Sequence, residues 1–425
     1  MKTIAEINQK IKDGDVTVLT AKELCDAVRS GKSVSVEDVD VVTTATRGIM
    51  SGTLAILSFP VADPGVFSRA EQVFLNGVPA NAGPCPNEHL GIIDLVVHGT
   101  AEREDARYGG GHLFHDLISG AEIEVAVKAS GTGDETGKKS GSMTGAEITT
   151  TVDIDEIPFA RMLTTRSAYR NYNAFVNPGD ALPTIFSVAD FKGNCSEVVF
   201  GGCGEINPLE KDAGTIGVGT RVLLNGAVGY VIGEGTRSTR ERRNLSLFAD
   251  MHEMDSSCIS GFATSAGPDL INSIAVPIPV LDEDVLSRAS RLDSEIKLPV
   301  VDIRTRKEIG RTNYSQVWRS GSDPLVTFEP LLCIHCSVCN VMCPTGAFTG
   351  SEVNDDLCCN CGHCVSVCAG EAFASEMGAV MLRGREIAVT LRHSDRRGAI
   401  KLADELKRRI ELKAFLLAEP VQGFG

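Results

Sequence analysis

Apolar residues recur at helical spacing through residues 4–30, and the repeat is broken at Asp13-Gly14-Asp15, so two helical segments are predicted there. A run of β-branched residues, Val39-Asp40-Val41-Val42-Thr43-Thr44-Ala45-Thr46, predicts a buried strand. From there to about residue 275 the pattern is of short β-branched runs separated by glycine turns, as in 92–97, 121–127 and 222–224. The last of these runs into Asn225-Gly226, a strong hairpin signal. Residues 159–173 carry a helical pattern, whereas 130–145 is Gly, Ser, Thr and charge with almost no apolar side chain and predicts a solvated loop. The proline-bearing run 274–281 closes this large mixed α and β domain, taken as 1–285, and the polar stretch 286–323 is expected to be a connector. Near the end, 379–382 and 387–391 flank Arg383-Gly384-Arg385-Glu386 as a hairpin. Ser394 is then expected to cap a closing helix running to about Leu417, with Ile400, Ala403, Leu406 and Ile410 on its packing face.

Between connector and hairpin, over roughly 324–376, the pattern is set by sulfur. Cys333-x2-Cys336-x2-Cys339-x3-Cys343-Pro344 is answered by Cys358-x2-Cys361-x2-Cys364-x3-Cys368, the only internal repeat in the chain. This spacing marks a ferredoxin-like unit with two [4Fe-4S] clusters, in which the fourth cysteine of each run ligates the other cluster. Cys333, Cys336, Cys339 and Cys368 would hold one cluster, and Cys358, Cys361, Cys364 and Cys343 the other. Structural zinc sites use two separated cysteine pairs, whereas here four thiols are crowded into each short run, twice. Ala369 stands where a second proline is usual, and the extra thiol Cys359 is expected to pack as a small hydrophobe.

The chain's 425 residues exceed what such a unit needs, so the clusters serve a larger domain. Hydrophobic residues at 43% and charged residues at 23% are ordinary for a folded protein. No apolar run long enough to span a membrane and no signal-peptide pattern is seen, and 14 cysteines, nine of them in 333–368, argue for metal and sulfur chemistry over disulfides; a cytoplasmic location is expected. A net charge of −15 argues against nucleic acid or an anionic membrane as partner.

Paired low-potential clusters deliver single electrons, so the large domain is where a substrate is to be sought. Cys203 lies in Gly201-Gly202-Cys203-Gly204, where glycines let backbone N–H groups and a substrate approach the sulfur; it is a candidate sulfur carrier, against the plainer possibility of an inert thiol in a tight turn. Cys85, in Pro84-Cys85-Pro86, is a second candidate; Cys25 is expected in the core, and Cys195 and Cys258 are undecided. Gly235-Thr236-Arg237-Ser238 puts hydroxyls, backbone donors and a guanidinium in one turn, which suits a carboxylate, phosphate or sulfonate, or else is a solvated basic loop. His112, in Tyr108-Gly109-Gly110-Gly111-His112, is a candidate general acid or a packing residue. Gly214 to Thr220 is a loose match to nucleotide-binding loops without the strand and helix that such loops join.

Thr43-Thr44-Ala45-Thr46, Tyr108-Gly109-Gly110-Gly111-His112, Asn207-Pro208-Leu209, Thr215-Ile216-Gly217-Val218-Gly219-Thr220 and Val276-Pro277-Ile278-Pro279-Val280-Leu281 resemble the archaeal homocysteine-biosynthesis, sulfur-incorporation family. The fused dicluster unit resembles its methanogenesis marker 16 metalloprotein branch. The resemblance implies a sulfurtransferase that reductively inserts sulfide into a small anionic aldehyde to give a thiol. Aspartate semialdehyde giving homocysteine is the best-known family reaction, and sulfoacetaldehyde giving coenzyme M is associated with the marker branch. Homocysteine-forming members carry cysteines after the first strand and in the Gly-Thr loop, where this chain has Met50-Ser51-Gly52 and Gly131-Thr132-Gly133-Asp134; this leaves Cys85 and Cys203 as substitutes and points to sulfoacetaldehyde. A sulfide donor is then required, and an electron-donor protein and self-association are the partners left open. The rival reading is a non-catalytic electron-transfer or assembly factor for a methanogenesis metalloenzyme.

Overall fold

The computed structural model describes residues 1–83, 86–105, 107–130, 146–166, 173–176, 198–200, 203–236, 238, 244–318 and 326–423. Two helices open the chain, Ile4–Asp13 and Ala21–Arg29, each begun by a capping box in which a Thr and a Glu three residues later satisfy each other's backbone N–H (Thr3 with Glu6, Thr20 with Glu23). Gly14 ends the first helix in the left-handed region, the reason the Asp-Gly-Asp break was visible in the pattern.

Among the described residues, fourteen strands form a mixed sheet, and near one end of it lies the long antiparallel pair Val41–Ile49 and Gly267–Pro279. Leu54–Pro60, Ile92–His98, Phe159–Arg166, Leu245–Asp250, Ala227–Glu234 and Arg221–Leu224 extend it. The Asn225-Gly226 turn joins the last two as expected, with both residues at positive φ. The helical expectation for 159–173 fails: Phe159–Arg166 is a strand paired on both sides, and its alternation brings Ala160 and Met162 into the core.

A second, six-stranded sheet runs in the order Glu308–Asn313, Lys297–Asp302, Asn173–Phe175, Val198–Phe200, Arg385–Arg392, Ala379–Leu382. The stretch expected as a connector thus supplies two strands, and the expected C-terminal hairpin adds two more. This sheet ties the large domain, the connector and the C-terminal segment together.

The closing helix is Arg396–Glu411, capped by Asp395, whose carboxylate accepts from Gly398 N at 3.0 Å, and not by Ser394. Its buried face is Ala399, Leu402, Ala403, Leu406 and Ile410, with Ile400 only half-buried. It lies on the strands Val41–Ile49 and Gly267–Pro279, which covers one face of Val41–Ile49 and contributes to the burial of nearly every side chain there. Among the described residues no helix is long and apolar enough to cross a membrane.

Candidate functional site

Each cysteine run turns through left-handed residues at matching places, His335 and Ser337 in the first and Asn360 and Gly362 in the second. A one-turn helix follows in each case, Val338–Met342 or His363–Val367, and ends at the fourth cysteine. The short pair Thr327–Phe328 and Phe373–Ala374 closes the unit, and Phe328, Phe348 and Phe373 stack around Cys339 with ring centroids 4.8 to 5.1 Å apart. Local geometry therefore repeats as the sequence does, as a pseudo-two-fold unit requires.

The thiols fall into two neighbourhoods. Cys339 is close enough to Cys333 and Cys368 to feel their charge, whereas Cys343 acts on Cys358, Cys361 and Cys364. The fourth cysteine of each run has crossed to the other set. Burial pushes the Cys358 and Cys364 thiols up to about 12, so without metal they keep their protons. Among the described residues no three His, Cys, Asp or Glu side chains converge tightly enough for a single ion. Two sets of soft sulfur donors, spread wider than a mononuclear site, are compatible with iron–sulfur clusters. Cys359 packs with Phe262, Ile271 and Leu391, as expected of a small hydrophobe.

The two sets face different surroundings. Cys336 is exposed beside Leu331 and Ile334, which are 93% and 60% exposed. The second set is pressed against the C-terminal strand and the large domain: Arg392 N donates to Cys361 O at 3.1 Å, and Arg47 Nη2 donates to Asp356 O at 3.2 Å. Pro344, next to Cys343, has its carbonyl bonded both by Ala263 N at 2.8 Å and by the His112 ring. His112 also accepts from Gly109 N at 3.3 Å and stacks on Tyr108, and burial lowers it to about 4. A Cβ on Gly261 would sit 2.2 Å from the His112 ring. His112 is thus a neutral clamp on the cysteine-rich unit.

Where that unit, the strands Val41–Ile49 and Gly267–Pro279 and the closing helix meet, a cavity of about 260 Å³ opens. Ser273 and Arg47 line it from the sheet, Cys258 from the turn Ser256–Cys258, Cys358 and Asn360 from the second cysteine run, and Arg397, Lys401 and Arg409 from the helix. Asp255, Asp355, Asp356, Asp395 and Glu405 share the wall, and several of them are already engaged: Asp255 bonds Ser257, Asp395 caps the helix, and Glu405 pairs Arg408 and Arg409. Burial and Asp255 raise the Cys258 thiol, and Arg47 and Arg409 pull it back. Cys203 lies elsewhere, fully buried, 3.5 Å from Thr46 Oγ1 and 3.8 Å from Arg47 O. Successive strand residues point to opposite faces, so Thr46 reaches Cys203 while the Arg47 side chain turns to the cavity. Thr236 and Ser238 use their hydroxyls within their own turn and on Thr165. Cys85, Cys195 and Arg237 lie outside the described residues. Gly214 to Thr220 is a turn whose backbone bonds Asp212 and Thr220, and its strand pairs with the chain end.

Reading the sequence did not single out Cys258, Arg47, Arg397 or Arg409. Arg47 had a signal, the one full charge in an otherwise uncharged run from Val41 to Ile49, which demands a special environment once buried. Cys258 had none, since Asp255-Ser256-Ser257-Cys258 is an ordinary turn sequence.

The family model described as homocysteine biosynthesis enzyme, sulfur-incorporation, matches residues 16–417. An uncharacterized protein of Methanothermobacter thermautotrophicus is 44% identical over 97% of this chain and 94% of its own length. Another, of Methanocaldococcus jannaschii, is 37% identical over 94% and 99%. The L-aspartate semialdehyde sulfurtransferase of Methanocaldococcus jannaschii is 33% identical over 76% of this chain and 63% of its own length. No solved structure matches.

Proposed function

Because the chain belongs to the homocysteine-biosynthesis, sulfur-incorporation family, we propose that it inserts sulfur reductively into a small anionic aldehyde, with sulfoacetaldehyde giving coenzyme M as the preferred reaction. The balance is aldehyde plus hydrogen sulfide plus two electrons and two protons, giving thiol plus water. The observation that carries the reading is the cavity in which a cysteine of the second run, a separate thiol and four basic side chains meet. The rival adaptor would present its clusters on a flat face with no such chamber.

Cys333, Cys336, Cys339 and Cys368 would hold one [4Fe-4S] cluster and Cys343, Cys358, Cys361 and Cys364 the other, and bound clusters supply single electrons at low potential. The protein's own residues do the rest. Arg47, Arg397, Lys401 and Arg409 hold the anionic end of the aldehyde. His112 and Ala263 fix Pro344 and with it the crossing Cys343. The exposed Leu331 and Ile334 beside Cys336 suit the approach of an electron-donor protein.

The preference for sulfoacetaldehyde rests on Met50-Ser51-Gly52, which stands where the resemblance to homocysteine-forming members leads one to expect a cysteine. The experiment is an anaerobic assay of reconstituted protein with sulfide, a low-potential reductant and each aldehyde, reading thiol. Coenzyme M above homocysteine is the expected result; homocysteine in excess moves the substrate to aspartate semialdehyde, and no thiol from either favours the adaptor.

A further inference from the structure

Of the described cysteines outside the eight cluster positions, Cys25, Cys203 and Cys359 are buried and Cys258 is not. Cys25 is engaged by the Lys211 ammonium at 3.1 Å, inside the core. Cys203 and Cys359 are packed in hydrophobic clusters and do not line the chamber. Cys258 lines the chamber, at the end of a short turn whose backbone is fixed by Ser273, which donates to Cys258 O at 2.5 Å. Gly226 leaves room over the sulfur, since a Cβ there would stand 3.9 Å from Cys258 Sγ.

A second, independent feature is a buried cation with an unsatisfied donor, in a wall that also carries Asp255, Asp355, Asp356, Asp395 and Glu405. Arg47 is 8% exposed and turned into the chamber, and its Nε has no hydrogen-bond acceptor; Asp395 Oδ2, at 3.4 Å, is within ion-pair range only. A buried guanidinium N–H left without an acceptor costs free energy that an anion beside it recovers. Both Arg47 and Arg409 act electrostatically on the Cys258 sulfur, so that anion and the thiol occupy one field.

We infer that Cys258 receives the sulfur destined for the product, as a persulfide, inside the cavity it shares with Cys358. This deepens the sulfur-insertion reading and rests on it; release of the outer sulfur from the persulfide takes two electrons more than insertion of free sulfide, four in all, from the same low-potential reductant. In the loading step the Cys258 sulfur attacks the outer sulfur of a donor persulfide, R–S–SH. The Sγ–S bond forms as the S–S bond of the donor breaks, the Cys258 proton leaves with R–SH, and no electrons are gained or lost overall. Arg47 and Arg409 stabilise the negative charge carried by the attacking thiolate and then by the persulfide.

The test uses the reconstituted protein, treated anaerobically with inorganic polysulfide, alkylated, digested and read by peptide mass. One added sulfur atom on the peptide holding Cys258 is expected. Cys258→Ser, and Cys258→Ala as a second variant, should lose that signal with iron content unchanged. Sulfur on the Cys203 or Cys25 peptide with none on that of Cys258 overturns the assignment, as does wild-type thiol formation from polysulfide by either variant. Because labelling needs no aldehyde, it decides Cys258 even where the aldehyde assay fails, and failure of that assay with free sulfide tells against sulfur insertion alone.

Discussion

Arg396 Nη1 donates to Asp293 Oδ2 at 2.9 Å with both side chains buried, and Nη2 of the same guanidinium reaches Glu205 Oε1 at 3.2 Å. Two carboxylates are thereby held beside Cys203 by one cation, with Arg29 as a second partner of Glu205. Removing one partner of a buried pair strands the other, at about 3–5 kcal/mol. Arg396→Met should therefore lower stability by about that amount, read as the shift in denaturant midpoint. A change under about 1 kcal/mol would mean that water enters and solvates the carboxylates, as at a surface pair.

The crossing of Cys343 to the second set has a consequence for iron counts. The intact protein should hold about eight irons, and Cys343→Ser should disrupt the cluster shared with Cys358, Cys361 and Cys364, leaving about four. Adding Cys361→Ser should then remove no further iron, whereas adding Cys336→Ser should remove nearly all of it. The opposite order, measured by iron and labile sulfide analysis, would show that Cys343 belongs with its own run.

The cysteine runs were legible because ligand spacing is local, and the same holds for the Asn225-Gly226 hairpin and the Asp13-Gly14-Asp15 break. What escaped was set by contacts between distant segments. Residues 159–166 have a pattern that suits a helix until Leu54–Pro60 and Leu245–Asp250 pair on either side. The polar stretch after residue 285 becomes strand because 173–175 and 385–392 provide partners in the second sheet. The glycine flanking Cys203 was read as access for a substrate. Gly204 has φ +66°, and a Cβ there would lie 2.4 Å from Asp293 Oδ1, so the glycine serves the buried ion network. Cys258, in contrast, gains its chamber only when residues near 47, 358 and 409 come together.

His112 carries a prediction in pH. Its folded value of about 4 lies below the ordinary 6.5 because burial disfavours the imidazolium. Between those values the unfolded chain binds a proton that the folded one does not, so the stabilising contribution is complete above pH 6.5 and is lost as pH falls toward 4. Wild-type protein should lose more stability than His112→Gln between pH 7 and pH 5, in urea titrations of both proteins prepared anaerobically. Equal losses would show that the ring is solvated and does not clamp Pro344 in its neutral form.

Arg409 tests where the anionic end of the aldehyde is held. Its Nε donates to Glu405 at 2.6 Å, which orients the guanidinium while leaving it on the cavity wall. A charge-assisted bond from a guanidinium to a sulfonate contributes about 1.5–3 kcal/mol, so Arg409→Met should lower kcat/KM for sulfoacetaldehyde roughly 10- to 100-fold. A neutral aldehyde of similar size should be turned over by the variant and by the wild type at nearly the same kcat/KM, since it never used the contact. Lysine at 409 should restore only part of the loss, because an ammonium supplies charge without the planar fork. Arg237→Ala is the matched comparison, since Gly235-Thr236-Arg237-Ser238 is the anion site that the sequence suggests. Loss at 409 with none at 237 places the sulfonate in the cavity beside Cys258, and loss at 237 alone returns it to the turn.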